Sequence, residues 1–190
     1  MSGVTVVPLD ASAHLAQIVE VLHRVRRAHG TYPPTGSVAD TPSDLAHWFD
    51  PDGPYLARWV AVLGDDVVGH VAVSTPHDYM LGFLESAPGH DLSAERTCEI
   101  VKVFVDPEAQ RCGAGRALLD HALDFAASRS LTATLAVIST SVEARRLYPR
   151  SGMTEIGSFA GVDGINHIFV AGDAVGARPT RLSRTTAALQ

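Results

Sequence analysis

The stretch Val103-Phe104-Val105-Asp106-Pro107-Glu108-Ala109-Gln110-Arg111-Cys112-Gly113-Ala114-Gly115 decides how the rest of the chain is read. It opens with β-branched and aromatic residues that end a strand beginning near Cys98, and Asp106-Pro107 stops that strand. Glycines follow at 113 and 115, and then Ala117, Leu118, Ala122, Phe125 and Ala126 recur with the spacing of a helix that has one apolar stripe. A helix start carries unpaired amides and the positive end of the helix dipole. Glycine lets such a backbone come close to a phosphate without a Cβ in the way. Strand, glycine loop and helix together make an anion site. Read more plainly, the same segment is a strand-to-helix turn that needs flexible glycines.

Working outward, residues 4–9 read as an edge strand. A helix follows, carried by Leu15, Ile18, Val19, Leu22 and Val25, capped by Asp10 or Ser12 and ended by Gly30. A second short helix is expected over 43–49. Residues 55–63 and 67–74 are β-rich runs around Gly64-Asp65-Asp66, a hairpin signal. Residues 76–95, with Gly82, Pro88 and Gly89, read as a long irregular insert. Beyond the central strand and helix come a strand over 133–138, a short helix over 141–151, and strands over 154–160 and 165–171 joined by Gly161-Val162-Asp163-Gly164. Strand–helix–strand units in the middle imply parallel pairing, and the hairpins imply antiparallel flanks. The fold class is therefore α/β (α+β), one domain over residues 1–171. Residues 172–190 are a polar C-terminal tail without periodicity, expected to be flexible.

The chain has 190 residues, long enough to bury on the order of 70% of its unfolded surface. Its composition, 46% hydrophobic and 19% charged, is that of a globular protein. A formal net charge of −6 argues against binding nucleic acid through phosphates and suits a cationic small substrate better. The two cysteines, Cys98 and Cys112, form neither a CxxC pair nor a zinc-ligand spacing, so no metal is expected and the compartment is read as reducing and cytoplasmic. No signal peptide and no apolar run of membrane-spanning length is read in the chain, so no membrane partner is expected.

Gln110-Arg111-Cys112-Gly113-Ala114-Gly115 matches the Q/R-x-x-G-x-G/A signature of the GNAT N-acetyltransferases, with Val-Asp-Pro-Glu as lead-in. Ala144-Arg145-Arg146-Leu147-Tyr148-Pro149-Arg150-Ser151-Gly152-Met153 is similar to the second motif of that family, A-x-x-L-Y-x-x-x-G-F. The resemblance runs from about Val4 to Ala171. It implies the GNAT fold, a mixed central sheet of about seven strands flanked by helices.

The resemblance also assigns roles. The amides of Arg111, Cys112, Gly113, Ala114 and Gly115 would hold the pyrophosphate of acetyl-CoA, with Gln110 opening the loop and Arg116 closing it. Val103 and Val105, with Phe104 between them, would offer backbone bonds to pantetheine, although their side chains alone read as core packing. The acetyl carbonyl would lie in a splay between the strands over 98–105 and 133–138. Tyr148 resembles the general acid that protonates the leaving thiolate; otherwise it is a packed helix tyrosine. Glu99 is the expected general base, because Ala136 stands where some relatives carry a glutamate; otherwise it is an exposed strand residue. Ser141 stands where many relatives place an asparagine that touches the cofactor, and otherwise caps the following helix. In the insert, His77, Asp78, Tyr79, Glu85, Asp91 and Glu95 read individually as solvated loop residues, on a segment that would lie near an acceptor.

The expected function is direct acetyl transfer from acetyl-CoA to a primary amine, of a small molecule, in a ternary complex, by a monomer or homodimer. The alternatives are a protein N-terminal or lysine acetyltransferase, and a non-catalytic CoA-binding module on the same fold. A Rossmann-type nucleotide domain is rejected, because its glycine loop follows the first strand and this one follows the fourth.

Overall fold

The computed structural model describes residues 3–29, 49, 53–86, 92–161 and 164–172. Their elements run β1 (Val4–Pro8), α1 (Ala11–His29), β2 (Tyr55–Leu63), β3 (Asp66–Ser74), α2 (Asp78–Ser86), β4 (Thr97–Val105), α3 (Ala114–Ser128), β5 (Thr132–Ile138), α4 (Val142–Arg150), β6 (Met153–Gly161) and β7 (Gly164–Ala171). The strands form one seven-stranded sheet in the order β1-β2-β3-β4-β5-β7-β6, so β1 is an edge strand as expected. β4 and β5 pair in parallel across the α3 crossover, whereas β1–β2, β2–β3, β5–β7 and β6–β7 are antiparallel. The sheet is therefore mixed. The expected helix over 43–49, apart from Phe49, and the tail beyond Gly172 lie outside the described residues.

The described residues fall into two compact units, one within Met1–Ser74 and Ile100–Asp124, the other within Thr75–Glu99 and Phe125–Gln190. In the first, Asp10 starts α1: its carboxylate accepts from the amides of Ser12 (2.8 Å) and Ala13 (3.4 Å), which a helix start leaves without intrahelical partners. Ile18, Val21, Leu22 and Val25 of α1 then bury one helical face with Val60, Val67 and Phe104. Removing a side chain such as Leu22 by substitution with alanine would cost about 2–5 kcal/mol by loss of transfer energy plus a cavity. The β2–β3 hairpin closes through Gly64, whose φ of 65° lies in the left-handed region a tight hairpin turn demands.

In the second unit the core is Met80, Phe83 and Leu84 of α2 against Ile156, Ile168 and Val170. This corrects the reading of 76–95 as an irregular insert: residues 78–86 are helical, and a short 3-10 turn covers Ala94–Arg96. The cause is an apolar triplet at helical spacing, Met80, Phe83 and Leu84, that can bury itself on the sheet. β6 admits it closely. A Cβ on Gly157 would stand 2.8 Å from the Phe83 ring.

Candidate active site

β4 departs from regular strand geometry. Its parallel ladder with β5 consists of Thr97↔Thr132, Cys98↔Ala133 and Glu99↔Thr134, and both strands continue beyond the last pair, β4 to Val105 and β5 to Ile138. The other edge of β5 is paired to β7 from Thr134 onward. Within β4, Lys102 has φ 55°, a left-handed residue in mid-strand, which is the mark of a bulge. His70 of β3 holds it there: Nδ1 lies 2.9 Å from the Lys102 carbonyl oxygen, which can only accept, so Nδ1 carries the proton and donates. Burial lowers the pKa of His70 to about 3, and the ring stays neutral. No feature of residue type announces this bulge, and the sequence reading missed it.

β4 runs directly into the glycine loop. Asp106 anchors the junction. Its carboxylate accepts from Arg24 Nε (2.9 Å) and Nη2 (2.6 Å) of α1 and from the Glu108 amide (3.0 Å), while its own amide donates to the Val68 carbonyl (2.8 Å). Burial by itself would raise the Asp106 pKa; the Arg24 guanidinium and the Glu108 amide outweigh it, and the carboxyl lies below its ordinary value. The loop proper then turns through two left-handed residues, Arg111 (φ 66°) and Gly113 (φ 91°), on either side of Cys112. Backbone of this kind forms the concave nests of amides that bind anions. Space is not what requires glycine at 113, since an added Cβ would meet nothing within 4 Å; the backbone angle is. Ala114 begins α3 directly afterwards, and Ala114 is buried while Gln110, Arg111 and Arg116 are exposed. Arg116 pairs with Asp120 one turn on (2.7 Å). Of the expected pantetheine strand, Phe104 is buried in the α1 core, and Val103 and Val105 are half-buried.

The titratable side chains singled out in the sequence as base and acid, Glu99 and Tyr148, lie in the second unit. Glu99 is not an exposed strand residue: it is fully buried at the last pair of the β4–β5 ladder. Its Oε2 accepts from the His77 amide (3.0 Å) and lies 2.8 Å from His77 Nδ1, and its Oε1 accepts from the Tyr79 hydroxyl. His77 is also the residue whose carbonyl takes the first bonds of α2, from the amides of Met80 (2.9 Å) and Leu81 (3.0 Å). The start of α2 is thus docked on the carboxylate. Burial of the hydroxyl and the adjoining Glu99 carboxylate push the Tyr79 pKa upward, so Tyr79 remains a donor. His77 and Tyr79 are exposed, as expected, but they are not plain loop residues: His77 precedes α2 and Tyr79 lies in it, and both bond Glu99; the available signal was Pro76-His77-Asp78 in front of an apolar helical triplet.

Tyr148 is buried on α4, its ring edge-on to Phe169 at 5.3 Å between centroids. Burial pushes its pKa upward, which keeps the phenol protonated across the physiological range. Ser141 stands at the N-cap position of α4 but its side chain makes no capping bond, which removes the capping explanation for that serine. Cys98 is buried and Cys112 half-buried, both as free thiols; burial pushes Cys98 up to about 11, so it is no nucleophile. Among the described residues no cluster of three or more His, Cys, Asp or Glu side chains could hold a metal ion, and no helix is long and apolar enough to cross a membrane.

Comparison with known proteins bears on the arrangement. The model of the acetyltransferase (GNAT) family matches residues 22–153. No curated protein matches the sequence. Among solved structures, an acetyltransferase of the GNAT family from Staphylococcus aureus Mu50 superposes with a TM-score of 0.62 at 16% identity, over 89% of this chain and 98% of that one. The aminoglycoside acetyltransferase AAC(6')-Ib in complex with coenzyme A gives 0.68 at 16% identity, over 90% and 95%. The same enzyme with coenzyme A and kanamycin gives 0.67 at 16%, again over 90% and 95%. At such identities the structures speak for the fold, and the family model, which covers more than half of the chain, speaks for descent: the chain belongs to the GNAT acetyltransferase family.

Proposed function

We propose that the protein transfers an acetyl group from acetyl-CoA to a primary amine of a small molecule, by direct attack within a ternary complex. The observation that carries the reading is the loop of residues 111–115: two left-handed residues and a helix start on the end of a strand, the backbone pattern of an anion nest. Its natural occupant is the pyrophosphate of the cosubstrate, with Gln110 and Arg116 flanking it. Val103 and Val105, on the part of β4 beyond the β5 ladder, would bond pantetheine through their backbone. Ser141, with a side chain not used as a cap, is assigned a cofactor contact.

Acetyl transfer needs three things of a protein. The thioester must be held, the amine must lose a proton, and the sulfur must gain one. The loop and β4 meet the first need. Glu99 is the carboxylate on which deprotonation of the amine depends, because it is buried, fixed by donors, and sits where the ladder ends. Tyr148 is the acid: burial keeps its phenol protonated until sulfur leaves. The solved relatives in complex with coenzyme A, kanamycin and ribostamycin support a small cationic acceptor, as does the net charge of −6. The free thiols of Cys98 and Cys112 fit a cytoplasmic enzyme.

The test is thiol release from acetyl-CoA in the presence of an amine panel that includes kanamycin, a diamine and an amino-acid amide. The expected result is acceptor-dependent release with at least one of them and a mass gain of one acetyl group on that amine. Tight acetyl-CoA binding without release for any acceptor would replace this reading by a non-catalytic CoA-binding module.

A further inference from the structure

The Glu99 centre contains a second group fit for proton transfer. From the geometry around it we infer that His77, not Glu99 itself, takes the proton from the attacking amine, and that Glu99 and Tyr79 are its positioning residues. The inference rests on the reading of Glu99 as the centre of amine deprotonation and assigns the atom that does it.

Three observations point there. First, both Glu99 oxygens are already engaged, Oε2 by the amide and ring of His77 and Oε1 by the Tyr79 hydroxyl, and the carboxylate is fully buried. A base must come within hydrogen-bond reach of the proton it removes. Second, the side chain of its imidazole partner is 46% exposed, against 1% for Glu99. Third, a carboxylate only accepts, so the 2.8 Å contact makes Nδ1 the protonated nitrogen and puts the basic lone pair on Nε2. A carboxylate that fixes the tautomer and steadies the resulting imidazolium is the arrangement by which a histidine becomes a general base. Among the described residues, Glu99 from β4 bonds the ring and Tyr79 from α2 stacks its own ring on it at 5.8 Å and 15°. Tyr79 in turn packs on Phe159 of β6 at 5.7 Å. The histidine is therefore held on one face by an aromatic and at Nδ1 by an anion.

The step balances without another reactant. The amine nitrogen forms its bond to the acetyl carbon, and its proton goes to Nε2 of His77. The C–S bond breaks, and the sulfur takes the proton of Tyr148. His77 returns its proton to water, and Tyr148 recovers one, between turnovers.

The experiment compares His77→Asn, Glu99→Gln and the parent, using acetyl-CoA and the best acceptor of the panel. Asparagine can still donate to Glu99 from its amide nitrogen, so the carboxylate keeps a partner. His77→Asn is expected to lower kcat/KM by about 10²–10³-fold at neutral pH, to abolish the acidic limb of the pH profile, and to regain rate on addition of free imidazole. Glu99→Gln is expected to retain the limb, displaced toward lower pH, because the imidazolium loses its anion. Nitrogen-resolved NMR of the parent should show His77 protonated at Nδ1. A His77→Asn enzyme with the parent's rate and pH profile overturns the inference. If at the same time Glu99→Gln loses the rate and the limb, Glu99 is the base and the functional reading survives. If neither variant changes the rate, the deprotonation centre lies elsewhere and both fall. A Nδ1 signal without a proton overturns the dyad even where the variants are too unstable to assay.

Discussion

The glycine loop and the Glu99 centre are built by opposite means. At residues 111–115 the groups we propose to work are main-chain amides, and side chains only permit or forbid the path; Gly113 at φ 91° permits it. At Glu99 the proposed groups are side chains brought together from β4 and from the start of α2, 22 residues apart in the chain. The first kind of site depends on local conformation, the second on tertiary packing. The lesson is that damage to them should be separable: backbone changes should alter affinity, and side-chain truncations should alter rate.

The largest expected effect belongs to Tyr148→Phe. The change removes one oxygen and leaves the ring against Phe169, so the fold and acetyl-CoA affinity should hold. Turnover should fall by about 10²–10⁴-fold, the usual contribution of a general acid. Steady-state kinetics with a calorimetric binding control would check it, and a rate within about twofold of the parent would show that the hydroxyl is dispensable.

A smaller effect is expected at the hinge of the loop. Asp106→Asn keeps the shape and removes the charge that Arg24 and the Glu108 amide stabilise. Chemical denaturation at neutral pH should show a loss of about 2 kcal/mol, in the range of hydrogen bonds to charged groups. The sign with pH follows from the lowered pKa of Asp106. Its stabilisation is fully present above the unfolded carboxylate's value, near pH ~4, and is lost as pH falls through the lower folded value. Parent and variant should therefore converge in acid. A constant difference down to low pH would mean that packing, and not charge, is what the substitution disturbs.

The same contrast explains what could be read in advance. The loop was legible because its signals are local: a β-branched run, Asp106-Pro107, two glycines, and a helical stripe, in that order. The hairpin at Gly64 and the amphipathic α1 were legible for the same reason. Glu99 was legible as a candidate only through resemblance, and its burial was not, because a lone glutamate on a strand carries no mark of which face it takes. Its pairing with His77 and Tyr79 depends on α2 folding back, and Gly82, with Pro88 and Gly89 beyond, hid the short stripe of Met80, Phe83 and Leu84. The left-handed Lys102 lies further from sequence still, since lysine has no preference for that conformation and His70 imposes it from another strand.

Whether the loop holds the cosubstrate is decided by one calorimetric titration of acetyl-CoA into three proteins: the parent, Tyr148→Phe and Gly113→Val. A β-branched residue strongly disfavours φ 91°, so valine should pull residue 113 out of the left-handed region and turn the loop amides away. Tyr148→Phe should keep the parent's Kd, and folded Gly113→Val should show a Kd weakened by about tenfold or more, ~1.4 kcal/mol. Equal affinity in Gly113→Val and the parent would contradict this, since the cosubstrate would then be held by something other than the loop.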